Sequence, residues 1–456
     1  MNMDSPSFLS STRSRDRVPP LDESIDFIRS LKKESVQAVL ARKRTEGELV
    51  LQPRSGVGAH DKMLDLLQGF DAPEAPHILS MTIDSHTRLL NFEKAYAVML
   101  WAPDRLNGYP LVAHGWQRGR ELNLKTRKAI EVRHGSPDPR ALFEYAIASG
   151  LTSFEGGGIG YNIPYCQGIP IVETLRYWQD VDNRCGDLAR AGIIVDREYF
   201  GTLTAVLMPP SISIACVLLE AVLAHDAGVA CHTLAICQSG NAEQDIAALR
   251  VLRRLASEFL FGPDIYVALH QFMGVFPQRR VDAEALILLG ALVARHGGAD
   301  KVITKSYQEA IGIPSQRANL EGITLTNIVN SPLIGQIDFD SETIAEEEEL
   351  IEGEVRDLLK CVLNGYVLID AIGAAFARGW LDVPLSANSL IRSEVLPVRV
   401  ANGAVRFFDY GNLAIGDKWR KRNNRLLGSR LRLNSRYEGL RRSVFHFSEA
   451  TTDRIP

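Results

Sequence analysis

Short apolar runs recur along the first two thirds of the chain, most of them separated by stretches of helical period such as 242–260 and 281–297. In order they are ELVLQP, HILSMTID, YPLVAHG, AIEVRHG, LTSFEGGG, GIIVDREYF, CHTLAICQSG, IYVALHQFMG and ADKVITKS, spanning residues 48–306. Repeated strand–helix units argue for a parallel sheet, because parallel neighbours need a crossover connection. So many units argue for closure into a (β/α)8 TIM-type barrel rather than an open doubly wound sheet. The nine runs exceed the eight places of such a barrel, and 192–198 is the first to be set aside.

The flanks differ from this repeat. Residues 1–20 are rich in Ser, Pro and charge without an apolar face, which reads as a disordered tail. Residues 21–45 carry an apolar stripe through Ile25, Phe27, Ile28, Leu31 and Val36, which reads as a helical extension. The barrel is expected over 46–332 and a C-terminal helical and small β extension over 333–456. In that extension an acidic stretch from Asp338 to Asp357 precedes a helical run to about Ala377, VRVANGAVRFFDYGN reads as a hairpin around Asn402-Gly403, and a basic segment runs from Arg420 to Arg442. The basic segment lacks interleaved stacking aromatics, so it is expected to meet an acidic surface rather than nucleic acid.

Lys and Arg number 51 against 55 Asp and Glu, so no global field draws the chain to nucleic acid or an anionic membrane. The six cysteines show no C-x-x-C pair and no spacing with histidine that would hold a structural metal. With no apolar run long enough to cross a bilayer and no secretory signal, the expected location is the cytoplasm.

Three arginines, Arg54, Arg88 and Arg133, follow successive strand-like runs in the contexts QPRSG, TIDSHTR and EVRHG. In a parallel barrel the strand C-termini converge on one mouth, so the three are expected to share a pocket. Guanidinium forks match carboxylates bidentately, and a small dicarboxylate is the ligand they suit. The alternative, three solvated loop residues, holds for any one alone. The most specific segment is Glu155-Gly156-Gly157-Gly158-Ile159-Gly160-Tyr161-Asn162-Ile163-Pro164-Tyr165. Its glycines allow close backbone approach, and its two tyrosines lie four apart over the same mouth. It is neither G-x-G-x-x-G nor a Walker loop. Glu155, among several arginines, is expected to be an ionised carboxylate that holds or exchanges a proton with an ammonium group. Lys305 and Glu309, four apart after a strand, read as a helix-start ion pair.

From about residue 45 to about 415 the chain resembles the large, epsilon-type component of glutamate mutase, also called methylaspartate mutase. The segments that carry the resemblance are QPRSGVG, TIDSHTR, NGYP, VRHGSPD, FEGGGIGYNIPY, GNAEQDIAALR, LHQFMGVFPQ and KSYQEAIGIP. The resemblance implies an adenosylcobalamin-dependent isomerase that rearranges L-glutamate to threo-3-methyl-L-aspartate by radical chemistry. It implies substrate contacts from Arg54, Arg88, Arg133, His134, Glu155, Tyr161 and Tyr165, with Glu155 as the catalytic group. It implies cofactor contacts from Gly56, Asn107, Pro164, Phe276, Lys305, Glu309 and Ile313, and no metal ligand from the chain itself. The N-terminus and the last forty residues depart from the family, and His86 stands where its motif is expected to carry an aromatic.

The lower-axial-ligand motif D-x-H-x-x-G is not found. Its one near miss, Asp84-Ser85-His86-Thr87-Arg88-Leu89, lacks the glycine. A separate small flavodoxin-like cobalamin-binding subunit is therefore expected, and the resemblance implies a dimer of this chain within a heterotetramer. Three other readings stand beside this one: a related barrel acting on a different small dicarboxylate, a lyase forming a Schiff base through Lys305, and a non-catalytic scaffold subunit.

Overall fold

A computed structural model describes residues 18–71, 76–202, 207–262, 264–363, 367–427 and 436–449. Residues 1–17, most of the expected tail, lie outside the described residues, as do Arg430 and Arg432 of the basic segment. The N-terminal extension is helical, as two helices, Leu21–Ser30 and Val36–Glu46. Ser35 begins the second by accepting a hydrogen bond from the Ala38 amide, and Gly47, at φ 71°, ends it in the left-handed conformation that glycine adopts without penalty.

Eight parallel strands follow: β1 Val50–Gln52, β2 Leu79–Thr82, β3 Ile130–Arg133, β4 Ser153–Glu155, β5 Asp196–Tyr199, β6 Cys231–Cys237, β7 Asp264–His270 and β8 Lys301–Ile303. They are ordered β1-β8-β7-β6-β5-β4-β3-β2. The remaining seam, between β1 and β2, has no regular ladder. It is closed by the Thr82 amide on Ser55 O at 2.8 Å, the Ser55 hydroxyl on Ser80 O at 2.8 Å and Gln52 Nε2 on Ser80 Oγ at 3.0 Å. The expected barrel is present, with helices around it.

The surplus run is not 192–198. That segment forms β5, whereas YPLVAHG contributes only a single bridge from Tyr109 to Ile83 before turning into the short helix Leu111–His114. The reason is the polarity of the barrel interior. Asp196 and Glu198 of β5 point inward, where Asp196 accepts from Ser153 Oγ at 2.9 Å and Thr233 Oγ1 at 2.6 Å. A strand whose inward residues are charged does not stand out as an apolar run, although every residue of β5 is buried.

After the barrel, the acidic helix Ser341–Leu363 packs on the barrel helix Ala242–Phe259 through pairs such as Arg254–Glu352 at 2.6 Å. On its other side it meets the basic helix Asp417–Leu427, with Lys418 3.4 Å from Glu349 and Arg422 on the same carboxylate. The basic segment thus meets an acidic surface of its own chain. Strands β9 Leu396–Arg399 and β10 Val405–Asp409 form the expected antiparallel hairpin around Asn402-Gly403, with Gly403 at φ 89°. Among the described residues no single helix is long and apolar enough to cross a membrane.

Candidate active site at the barrel mouth

The seven residues expected to contact substrate come together. Arg54, Arg88, Arg133, His134, Glu155, Tyr161 and Tyr165 line one cavity of about 20 Å³, with Thr82, Phe200, His270 and Met273 completing its wall. Arg54 follows β1 after Pro53. Arg88 ends the helical turn Ser85–Arg88, which Asp84 caps by accepting from the His86 amide at 2.9 Å and the Thr87 amide at 3.1 Å. Arg133 and Glu155 are the last residues of β3 and β4.

The three arginines are not equivalent. Arg133 is buried and already engaged: its Nη2 lies 2.6 Å from Glu155 Oε1, 3.0 Å from Glu198 Oε1 and 3.1 Å from His270 Nε2, and its Nη1 bonds Glu131. The donor atoms of Glu155, Glu198 and His270 lie close enough together to surround a metal ion. Here the Arg133 guanidinium is the cation that meets all three. Among the described residues, by contrast, neither Arg54 nor Arg88 has a hydrogen-bond or ion-pair partner, and the buried Nε of Arg88 is unsatisfied. Two free forks and one occupied fork therefore face the cavity.

Glu155 departs from the expected simple ionisation. Burial disfavours its charge, Arg133 opposes that, and the nearby Glu198 adds to it, so its carboxyl is pushed up to about 7. Its Oε2 accepts the His134 amide at 3.2 Å. His134 Nδ1 accepts the Ser136 amide at 3.0 Å, which places the ring proton on Nε2, an atom with no partner. Burial, together with the charges of Arg197 and Arg88, holds this imidazole well below its ordinary pKa and so neutral. The glycines are needed for close approach. A Cβ on Gly156, whose φ is 125°, would lie 2.4 Å from the Tyr161 ring, and one on Gly157 would lie 2.3 Å from the Glu220 carboxylate.

Beneath the cavity the barrel is filled with charge that apolar-run reading misses. Lys301 of β8 bridges Glu131 at 2.6 Å and Glu198 at 2.5 Å, all three fully buried. Burial and the neighbouring Glu198 raise the Glu131 carboxyl, whereas Arg133 and Lys301 outweigh burial at Glu198 and hold it well below the ordinary range. The available signal was the strand alternation itself, since Glu131 lies two residues before Arg133, and Glu198 two after Asp196, both inside strand-like runs.

Four of the residues expected at the cofactor, Gly56, Asn107, Glu309 and Ile313, line a second cleft of about 480 Å³. Arg54 and Thr82 form walls of both cavities. Gly56 has no room for a side chain, because a Cβ there would lie 2.5 Å from Thr82 O. Lys305 lines neither cavity but holds Glu309 at 2.7 Å. Pro164 and Phe276 line neither. Phe276 is buried in a small apolar cluster with Phe272, Ala283, Leu286 and Ile287.

A parallel β/α barrel that turns two unpaired guanidinium forks and a buried carboxyl titrating near neutrality toward one small cavity belongs to the class of barrel enzymes acting on small acids. Residues 31–448 match the family described as Methylaspartate mutase E chain (MutE). Proteins named glutamate mutase epsilon subunit are similar over most of their length: that of Haloarcula marismortui is 39% identical over 86% of this chain and 82% of its own, and that of Desulfitobacterium hafniense is 39% identical over 83% and 81%. The one from Treponema denticola is 36% identical over 86% of this chain and 84% of its own. The chain belongs to the methylaspartate mutase E chain family.

Proposed function

We propose that this chain is the catalytic subunit of an adenosylcobalamin-dependent glutamate mutase, an isomerase that interconverts L-glutamate and threo-3-methyl-L-aspartate. The observation that carries the reading is the pairing of two unoccupied arginine forks with a neutral-range carboxyl in one cavity. Arg54 and Arg88 take the two carboxylates of the substrate, each a charge-assisted bidentate partner, once the walls of this cavity, water-sized at about 20 Å³, part to admit it. Arg133 holds Glu155 in place and closes the third side. Glu155, titrating near 7, accepts a proton from the substrate ammonium and returns it. His134 Nε2–H and the Tyr161 and Tyr165 hydroxyls are donors to the same substrate.

The second cleft fits part of the cofactor only. Its volume, about 480 Å³, lies in the range that holds a drug-sized ligand, enough for the adenosyl group but not for a whole corrinoid. Gly56 lets a ligand approach the backbone, and Asn107, Glu309 with Lys305 behind it, and Ile313 would hold it. Bound there, the cofactor would supply the radical chemistry. The chain's own part is to fix the fragments and exclude water. The rest of the cofactor falls to a partner, for which we infer a small flavodoxin-like cobalamin-binding subunit, with two copies of this chain in a heterotetramer. All six cysteines are free thiols, as a cytoplasmic setting requires.

Lys305 has one property of a Schiff-base lysine, since burial lowers its pKa. Its Nζ, however, is bonded to Glu309 and faces neither cavity. The test is reconstitution: chain, small subunit and adenosylcobalamin together are expected to convert glutamate to methylaspartate, and the chain with cofactor alone is not. Full turnover without the small subunit, or none with it, rejects the reading.

A further inference from the structure

Arg197 stands out because its side chain leaves the barrel interior for the layer between strands and helices, where apolar residues are the rule. It lies in β5 opposite Phe154 of β4, is 0% exposed, and its Nε donates to Asp182 Oδ1 of the helix Ile171–Arg190 at 2.8 Å. A buried ion pair is weak evidence for stability, since well-packed apolar residues in its place are often neutral or better. The pair therefore points to something other than stability.

The other two nitrogens show what that is. Nη1 donates to Phe154 O at 2.5 Å and Nη2 to Gly156 O at 3.0 Å, the carbonyls of the two residues that flank Glu155. The second contact holds the turn at Gly156, whose φ of 125° a side chain would not tolerate. The face of the same guanidinium lies over the Trp178 ring at 4.6 Å, and Trp178 stacks on His134 at 5.5 Å and 11°. His134 in turn donates its amide to Glu155. One planar group thus braces the main chain on both sides of Glu155 and the ring beside it. Only arginine offers three donors in a fixed fork together with a stacking face.

We propose that Arg197 is a positioning residue for turnover: it fixes the peptide carbonyls on either side of Glu155, and through Trp178 the ring of His134, so that the carboxylate meets the substrate at one place. This rests on the reading of Glu155 as the group that exchanges the amino proton. Arg197→Lys keeps a charge for Asp182 but cannot reach both carbonyls, so it separates position from charge. In the complete complex with cofactor, it is expected to lower kcat by about ten- to a hundredfold with KM changed less than about threefold, the cost of a misplaced reacting group. Combined with Glu155→Gln it is expected to add little further loss, because both act on one carboxylate.

Wild-type kcat in Arg197→Lys, a loss confined to KM, or a fully multiplicative loss in the double variant overturns the proposal. Should Arg197→Lys not yield folded chain, the double variant Arg197→Gln/Asp182→Asn carries the same test: it replaces the buried ion pair by a neutral one and removes the fork from both carbonyls, and an unchanged kcat there overturns the proposal equally. Glu155→Gln alone reports on the underlying reading. Full turnover in that single variant removes Glu155 from the chemistry, whereas impaired Glu155→Gln beside unimpaired Arg197→Lys rejects Arg197 only.

Discussion

Replacing Glu155 by glutamine removes a charge while leaving the shape of the site, and the structure indicates how large the effect will be. Moving a carboxyl from its ordinary value of 4.5 to about 7 means that burial and the neighbouring Glu198, net of Arg133, penalise the ionised form by roughly 3 kcal/mol. The neutral amide escapes that penalty. Arg133 keeps Glu131 and Glu198 as partners, so the fold is expected to survive. What is lost is the base. General acid–base contributions are worth about 10²–10⁴ in rate, which sets the expected fall in kcat, and KM is expected to move much less because Arg54 and Arg88 are untouched. The pH profile makes the test sharper. In the wild-type complex the ionised fraction of Glu155 grows as pH rises through 7, so kcat is expected to climb across about pH 6 to 8, and the variant is expected to lose that limb. Conversion of glutamate by the reconstituted complex, followed across that range for both chains, measures both effects. A variant with kcat within twofold of wild type, or one that keeps the acidic limb, refutes the assignment.

Arg88→Lys keeps a cation but loses the fork, and at about 1.5–3 kcal/mol for a charge-assisted hydrogen bond, kcat/KM for glutamate is expected to fall roughly ten- to hundredfold. Unchanged steady-state kinetics would show that Arg88 does not hold a substrate carboxylate. Gly157→Ala drives a methyl to 2.3 Å from the Glu220 carboxylate that holds the Ile159 and Gly160 amides, so about 1–3 kcal/mol of destabilisation is expected in thermal or urea unfolding, together with loss of turnover. Glu354, far from the mouth, bonds Ser211 and is pushed up to about 8 by burial. Its proton is bound in the folded chain but not in the unfolded one between about pH 4.5 and 8, so stability falls as pH rises through that window. Glu354→Gln is expected to flatten part of that fall in the midpoint of thermal unfolding measured from pH to pH, and an unchanged slope would contradict it.

Much of the architecture was legible because period-2 and period-3.6 apolar patterns report which face of an element is buried. Eight of the nine runs are strands, and the turn at Asn402-Gly403 is where its residue types put it. The pattern failed where burial is not apolar. The run holding DREY is the first to be set aside, yet its Asp196 and Glu198 face a barrel interior in which Thr233, Lys301 and Arg133 satisfy them. YPLVAHG reads as a strand, yet only Tyr109 bridges the sheet.

The sequence by itself determined that Arg133 and Glu155 end strand-like runs and that Arg54 and Arg88 lie in the connections just after them, because strand length and turn residues are local properties, and it carried the family in segments such as FEGGGIGYNIPY. Only the tertiary structure decided how those groups divide their work. Whether an arginine is free or occupied, and whether a carboxyl titrates at its ordinary value or near 7, depends on charges brought from β3, β5, β7 and β8 into one low-dielectric space. Arg133 is occupied because Glu155, Glu198 and His270 converge on it from three other strands, and Glu155 is shifted because burial and Glu198 outweigh Arg133. Coulomb interactions act through space and are strengthened by the exclusion of water, so no spacing along the chain encodes them.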